Sequence, residues 1–209
     1  MKKGMFITFE GPDGSGKTTV SKAVMERLVN EGYPCRYTRE PGGSEIAEQI
    51  RDVILDPKNT AMDARTEALL YAASRRQHLV EIILPALENG IHVISDRFID
   101  SSLAYQGCGR NIGIEEVYRI NEFAIESYMP EHTIYLSVSA EEGLKRIQDR
   151  KFLDRLDQES IEFHHRVWEG YQKVVSRYQD RMIVIDAERP VEEVIEEAYQ
   201  KVKGLLDGH

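Results

Sequence analysis

Cysteine, tryptophan, long apolar runs and excess positive charge are all scarce in this 209-residue chain. Its two cysteines, Cys35 and Cys108, stand alone without C-x-x-C or zinc spacing, which excludes a disulfide framework and a thiolate metal centre and leaves reduced thiols with packing roles. The six histidines form no ligand pattern. His164 and His165 are adjacent, so on a helix they would point about 100° apart and could not readily share a metal. No stretch approaches the roughly 20 apolar residues of a membrane span. The opening MKKGMFITFEG carries two lysines but only a short apolar run before Glu10, so no signal-peptide core is expected. Lys+Arg number 27 against 36 Asp+Glu, a formal net charge of -9, which argues against a chain that wraps DNA or RNA, since that affinity rests on basic surface. Neither nucleic acid nor membrane is an expected partner, and the expected location is the cytoplasm. A small anion held in a local pocket of arginines is not excluded.

What the chain does have is alternation. Met5 to Phe9, Cys35 to Thr38, Ile91 to Ser95, Thr133 to Val138 and Met182 to Ile185 read as strands, nearly continuous in apolar residues as a sheet covered on both faces requires. Val20, Ala23, Val24 and Leu28 recur at helical spacing and stop at Gly32, while Val191, Val194, Ile195, Ala198, Val202 and Leu205 form a C-terminal helix that starts beside Pro190. Strand and helix in turn predict an α/β fold, a five-stranded parallel sheet with helices on both faces. With 41% hydrophobic residues and no repeat, low-complexity tract or linker, residues 1–209 read as one domain. The segment RIQDRKFLDRLD, Arg146 to Asp157, has four arginines or lysines among its first ten residues and reads either as a wet helix face or as a short lid, approximately 146–157.

Gly11, Gly16, Lys17 and Thr18 match G-x-x-x-x-G-K-[ST], directly after one expected strand and at the start of an amphipathic helix. The chemistry needs that context. Glycines let backbone N–H groups converge on a phosphate, the helix N-terminus adds partial positive charge, the lysine bridges β- and γ-phosphates, and the threonine hydroxyl is offered to Mg²⁺. A P-loop three-layer sandwich that binds a nucleoside triphosphate with Mg²⁺ follows. No N-K-x-D marks a guanine reader, and the chain is short for a motor. Three arginine-centred patches remain: TREPGGSE (Thr38 to Glu45), AASRRQH (Ala72 to His78) and SDRFIDSSLAYQG (Ser95 to Gly107). All could face the carboxyl edge of the sheet, where ligands bind. Clustered arginines there imply a second phosphate-bearing ligand.

FEGPDGSGKTT, TREPGG, DRFIDSSLAYQG and DRLDQE, in that order, resemble the thymidylate kinase family over essentially the whole length. The resemblance implies transfer of the γ-phosphoryl group from MgATP to the 5′-phosphate of dTMP, giving dTDP for dTTP synthesis, in a homodimer. The acceptor oxygen is already anionic at neutral pH, so the catalyst must align two anions and neutralise charge, with no general base. By resemblance ATP meets Gly11, Pro12, Asp13, Gly14, Ser15, Gly16, Lys17, Thr18 and Thr19, with Arg146 and Arg155 from the lid. The acceptor meets Asp13, Glu40, Arg51, Tyr71, Arg75, Arg97, Ser102, Tyr105 and Gln106. Arg97 grips its phosphate, and Asp96 orders Mg²⁺-bound water or arginine side chains, or else caps the following helix. Tyr71 lies against thymine, Arg75 on O4 and Gln106 on N3; Tyr71 could equally be core filler. Glu40 resembles an acidic residue near the site, against the alternative of a plain ion pair with Arg39. Tyr105 resembles a steric gate against a ribose 2′-hydroxyl.

Asp13 then sits on the acceptor side of the loop and takes a hydrogen bond from the 3′-hydroxyl. Some family members place an arginine next to it, where this chain has Gly14. The resemblance therefore implies that the stabilising cation comes from the lid, with Arg150 the expected residue and Arg146 and Arg155 the other candidates. The turn DAERP, Asp186 to Pro190, resembles the segment that packs on adenine. The stripe Val117, Ile120, Phe123 and Ala124 within Ile114 to Ser127 is either core or dimer interface. Two other functions fit the P-loop itself: a kinase for another small acceptor, and a nucleotide switch that is not a kinase.

Overall fold

The computed structural model describes residues 3–148 and 153–209. Five strands form one parallel sheet in the order β2-β3-β1-β4-β5: β1 (Phe6–Glu10), β2 (Cys35–Arg39), β3 (His92–Asp96), β4 (His132–Ser137) and β5 (Met182–Asp186). Each expected strand is present within one residue at most ends. β1 runs one residue further than its apolar pattern, and that residue is Glu10.

β1 is buried on both faces because it lies in the middle of the sheet. Ile7 and Phe9 join Val20, Val24 and Leu28 of α1 (Lys17–Asn30) and Val194, Ala198 and Val202 of α9 (Val191–Asp207) in one core. Phe6 points the other way, into a core with Leu79, Ile83, Val93, Phe98 and Leu103. This is the period-two alternation of a strand between two helical layers. Each such side chain stabilises the fold by about 1.5–3 kcal/mol through removal from water.

The core on the second side is covered by α3 (Ala64–His78), α4 (Leu84–Glu88), α5 (Ile99–Ser102), α6 (Ile114–Ile125) and α8 (Ile161–Arg177), while α2 (Glu45–Leu55) packs on α3 and α7 (Ala140–Gln148) on α8. Asp63 starts α3 by accepting from the Arg65 and Thr66 amides at 3.0 and 3.1 Å. Two stretches, Leu79–Ile83 and Leu103–Gly109, widen into π-helical turns that no apolar period announces. The α6 stripe divides: Val117 and Ala124 are core, Ile120 packs partly against them, and Phe123 is 90% exposed. Among the described residues no helix is long and apolar enough to cross a membrane. Cys35 and Cys108 are free thiols.

From β1 the chain passes over β3 to reach β2, and from β3 it passes over β1 to reach β4. The reversal opens a crevice at the carboxyl ends of β1 and β3, the place where open α/β sheets receive ligands. Register aligns Phe9 and Arg39 with Asp96 there.

Candidate active site

The loop leaving β1 turns tightly, with Ser15 N donating to Pro12 O at 3.2 Å. Lys17 folds back over it and donates from Nζ to Pro12 O at 2.8 Å and Ser15 Oγ at 3.3 Å. Burial, then the nearby Arg97 charge, pushes the Lys17 ammonium down to about 8. Thr18 Oγ1 donates to Asp96 Oδ2 at 2.5 Å, so two hard oxygen groups from different elements stand side by side. Gly14 adopts φ +81°, and a Cβ there would meet Gly143 O of α7 at 2.2 Å. An arginine at that position has neither the backbone conformation nor the space. Arg146 on α7 reaches the Ala187 carbonyl at 3.0 Å and the Gly14 carbonyl at 3.4 Å, bridging the loop and the DAERP turn.

A cleft of about 280 Å³ opens beside the loop. Of the expected site residues, Asp13, Gly14, Gly16, Lys17, Thr18 and Thr19 line it on the loop side. Glu40, Arg51, Tyr71, Arg75, Asp96, Arg97, Ser102, Tyr105 and Gln106 line the rest. Gly11, Pro12, Ser15, Arg146 and Arg155 are not in the lining.

Asp13 is the hinge between the two sides. Its carboxylate pairs with Arg97 and accepts from Tyr105 Oη at 2.6 Å, while its own amide donates to that phenol at 3.0 Å. Arg97 holds a left-handed backbone, φ 74°, just after β3. That conformation is unfavourable for a residue with a Cβ, and it is retained because Ser101 Oγ at 3.0 Å and Tyr171 Oη at 3.3 Å fix the guanidinium. Arg39 and Arg51 converge nearby, both donating to Pro41 O, at 3.0 and 2.9 Å. Burial, and next the Arg39 charge, lowers the Arg51 guanidinium. Cations gathered this way are relieved by an incoming anion.

At the far end Tyr71 is 9% exposed, packing with Ile54 and Tyr105 while lining the cleft. Arg75 is almost wholly buried and bonded to Glu40 Oε2 at 2.7 Å, Phe98 O at 3.0 Å, Ser102 Oγ at 3.1 Å twice, and Asn121. Ser102 Oγ thus accepts from both terminal nitrogens of Arg75. The neighbour ion pair offered for Glu40 does not form. Glu40 binds Arg75 and His78 Nδ1 at 2.9 Å, and Arg39 turns instead to Glu48 at 2.8 Å. Burial separates the two: Glu40 meets partners as buried as itself, while Arg39 pairs with Glu48 in a partly exposed position.

Arg155, expected beside the triphosphate, is held elsewhere. Its Nη2 meets Glu67 Oε2 at 2.6 Å and its Nε donates to Ile54 O at 2.8 Å, which buries it next to the far end of the cleft. Arg150 lies outside the described residues. Glu10 escaped sequence reading although it ends a buried strand just before the loop. Its carboxylate accepts from the Phe98 and Ser101 amides at 2.7 and 3.3 Å, Ser101 Oγ at 2.5 Å and Tyr171 Oη at 3.0 Å. It therefore underpins the two hydroxyls that hold Arg97. Burial, then the Asp100 charge, raises the Glu10 carboxyl to about 7.

A phosphate-wrapping loop and an arginine station thus share one cleft, joined by Asp13, as transfer between two anions requires. The family model for thymidylate kinase matches residues 9–198. The thymidylate kinase of Bacillus velezensis is 58% identical over 205 residues, 97% of each chain. That of Clostridium novyi is 56% identical over 208 residues, 99% of this chain and all of the other. The crystal structure of the thymidylate kinase from Ehrlichia chaffeensis superposes with a TM-score of 0.78 at 33% identity, covering 96% of this chain and 99% of that one. Loop, arginine station and full-length likeness agree, and the chain belongs to the thymidylate kinase family, ATP-using transferases that phosphorylate dTMP to dTDP.

Proposed function

We propose that donor and acceptor occupy the two sides of this single cleft, with Asp13 at the boundary. The observation that carries the reading is the pairing of Asp13 with Arg97 and Tyr105, which ties the phosphate loop to the acceptor side. On the donor side the loop amides and Lys17 hold the ATP phosphates, and Arg146 steadies the loop against the DAERP turn where adenine packs. The Thr18 hydroxyl and Asp96 carboxylate, 2.5 Å apart, suit a hard divalent cation, directly or through its water. Mg²⁺ bound there supplies charge neutralisation on the phosphate oxygens.

On the acceptor side Arg97, with Arg51 and Arg39, holds the dTMP 5′-phosphate. Asp13 accepts from the 3′-hydroxyl, Tyr105 excludes a 2′-hydroxyl, and Tyr71 stacks on the base. Ser102 lines the base pocket with Glu40 behind it, Arg75 donates to O4, and Gln106 meets N3. The anionic acceptor oxygen forms a bond to the γ-phosphorus as the bond to the β,γ-bridging oxygen breaks, and that electron pair leaves with ADP. No proton changes hands. Arg150 is the lid arginine assigned to the charge that develops on the transferring phosphoryl group. The exposed Phe123 supports a homodimer that covers it, and the absence of a spanning helix among the described residues is consistent with a cytoplasmic enzyme.

The test is a coupled ADP-release assay with MgATP and, in turn, dTMP, dUMP, UMP, dCMP, AMP and GMP, with a no-acceptor control. Turnover driven by dTMP well ahead of the rest is expected. A purine monophosphate in first place would overturn the acceptor-side roles, and release indifferent to every acceptor would overturn the two-station cleft. Light scattering on a sizing column tests the dimer.

A further inference from the structure

At the base end stands a carboxylate with no part in the chemistry above. Glu67, on α3, is 0% exposed. Its Oε1 accepts from Gln106 Nε2 at 2.9 Å. Its Oε2 accepts from Arg155 Nη2 at 2.6 Å and Arg110 Nη2 at 2.9 Å, with Arg110 Nε shared at 3.2 Å between the two oxygens. Gln106 sits on the π-helical turn Leu103–Gly109, lines the cleft, and is 1% exposed.

The direction of the Gln106 amide follows from the charge state of its partner. An ionised carboxylate only accepts, so the edge of Gln106 turned toward Glu67 is the NH₂ group and the edge turned away is the carbonyl. Among the described residues nothing donates to that carbonyl oxygen. Burial by itself would raise the Glu67 carboxyl, but hydrogen bonds and charge from Arg110, with Gln106 and Arg155, outweigh it and hold it below the ordinary carboxylate range. The arginines thus keep Glu67 an acceptor. A flipped Gln106 would set its oxygen against a carboxylate oxygen and lose a hydrogen bond to a charged group.

We propose that Glu67 is the positioning residue for base specificity: it locks the Gln106 carboxamide with its carbonyl oxygen toward the base edge, selecting thymine or uracil, which carry N3–H, and opposing cytosine, whose N3 is an acceptor. The inference rests on the reading that Gln106 meets that edge. Glu67 touches neither substrate. It acts by making one of two nearly isosteric amide orientations much more stable than the other.

Glu67→Gln is the informative change. The arginines on Oε2 claim the single oxygen that glutamine retains, which leaves its NH₂ facing Gln106 and favours the flipped amide. Steady-state kcat/KM would be measured for dTMP, dUMP and dCMP in wild type, Glu67→Gln and Gln106→Met. In Glu67→Gln the preference for dTMP over dCMP should fall about 10- to 100-fold, the range for losing a hydrogen bond to a charged group, with dCMP gaining in absolute terms. A uniform loss across all three acceptors would mean that Glu67 is merely structural and would overturn the proposal. Should Gln106→Met keep the wild-type preference, the reading of Gln106 itself falls, and this inference with it. Discrimination lost in Gln106→Met yet intact in Glu67→Gln leaves that reading standing and removes only the role of Glu67. If Glu67→Gln does not fold, the wild-type enzyme decides: with dTMP bound, labelled protein should show scalar coupling across the hydrogen bond between Gln106 Nε2 and the Glu67 carboxyl carbon. Absence of that coupling would overturn the proposal.

Discussion

Thr18 and Asp96 meet across the crevice, the hydroxyl of the first turn of α1 donating to the carboxylate that ends β3 at 2.5 Å. This contact ties α1, which follows β1, to β3 across the crevice between the two strands. Thr18→Ala removes one oxygen from the pair while its exposed position limits any cost to folding to within about 0.5 kcal/mol. The Mg²⁺ concentration for half-maximal rate should rise roughly 10- to 100-fold with an unchanged melting temperature. An unaltered Mg²⁺ titration would leave the pair with a purely structural role.

Lys17 carries a pH signature of its own. Its folded value of about 8 lies below the ordinary 10.5, so between those limits the folded state binds fewer protons than the unfolded chain. The stability tied to this group is present above pH 10.5 and lost as pH falls through about 8. Function runs the opposite way, because phosphate needs the charged form. kcat/KM for ATP should decline as pH rises through about 8, while kcat responds less, since bound phosphate restores the charge. Lys17→Arg should abolish that decline at a lower plateau. A wild-type profile flat to about pH 9.5 would contradict the assignment.

Glu10, raised from 4.5 to about 7, has the reverse linkage. Its contribution to stability is fully present below pH 4.5 and lost as pH rises through about 7, because the folded state then holds the extra proton. Glu10→Gln cannot titrate. The stability of the variant relative to wild type should therefore improve between those limits by on the order of 1–3 kcal/mol, measured by denaturant unfolding at several pH values. A pH-independent difference would show that its donors keep Glu10 ionised throughout.

For the lid, Arg150→Ala should lower kcat by about 10³-fold with little change in the KM for dTMP, as expected for a cation that acts only in the transition state. Retention of kcat within about threefold would sink the assignment, and the same measurement on Arg146→Ala would then identify the alternative.

Local chemistry made much of this protein readable from its residues. Apolar runs and 3.6-residue periods depend on neighbours close in the chain, and they located all five strands, α1 and α9. Glycine spacing with Lys17 and Thr18 is equally local, so the donor loop was legible before any fold was known. The acceptor side came through resemblance, not through spacing, and the structure assembles those residues around one cleft. Tertiary packing alone decided which charges meet. Glu40 passes over its neighbour Arg39 for Arg75, 35 positions away, and Arg155 leaves the lid group for Glu67, 88 positions away. Gln106 is oriented by that same carboxylate across 39 positions, from a π-helical turn without sequence warning. The physical reason is that periodicity specifies which face a residue occupies, whereas a buried charge chooses its partner by what else is desolvated beside it. Only the folded chain determines that company.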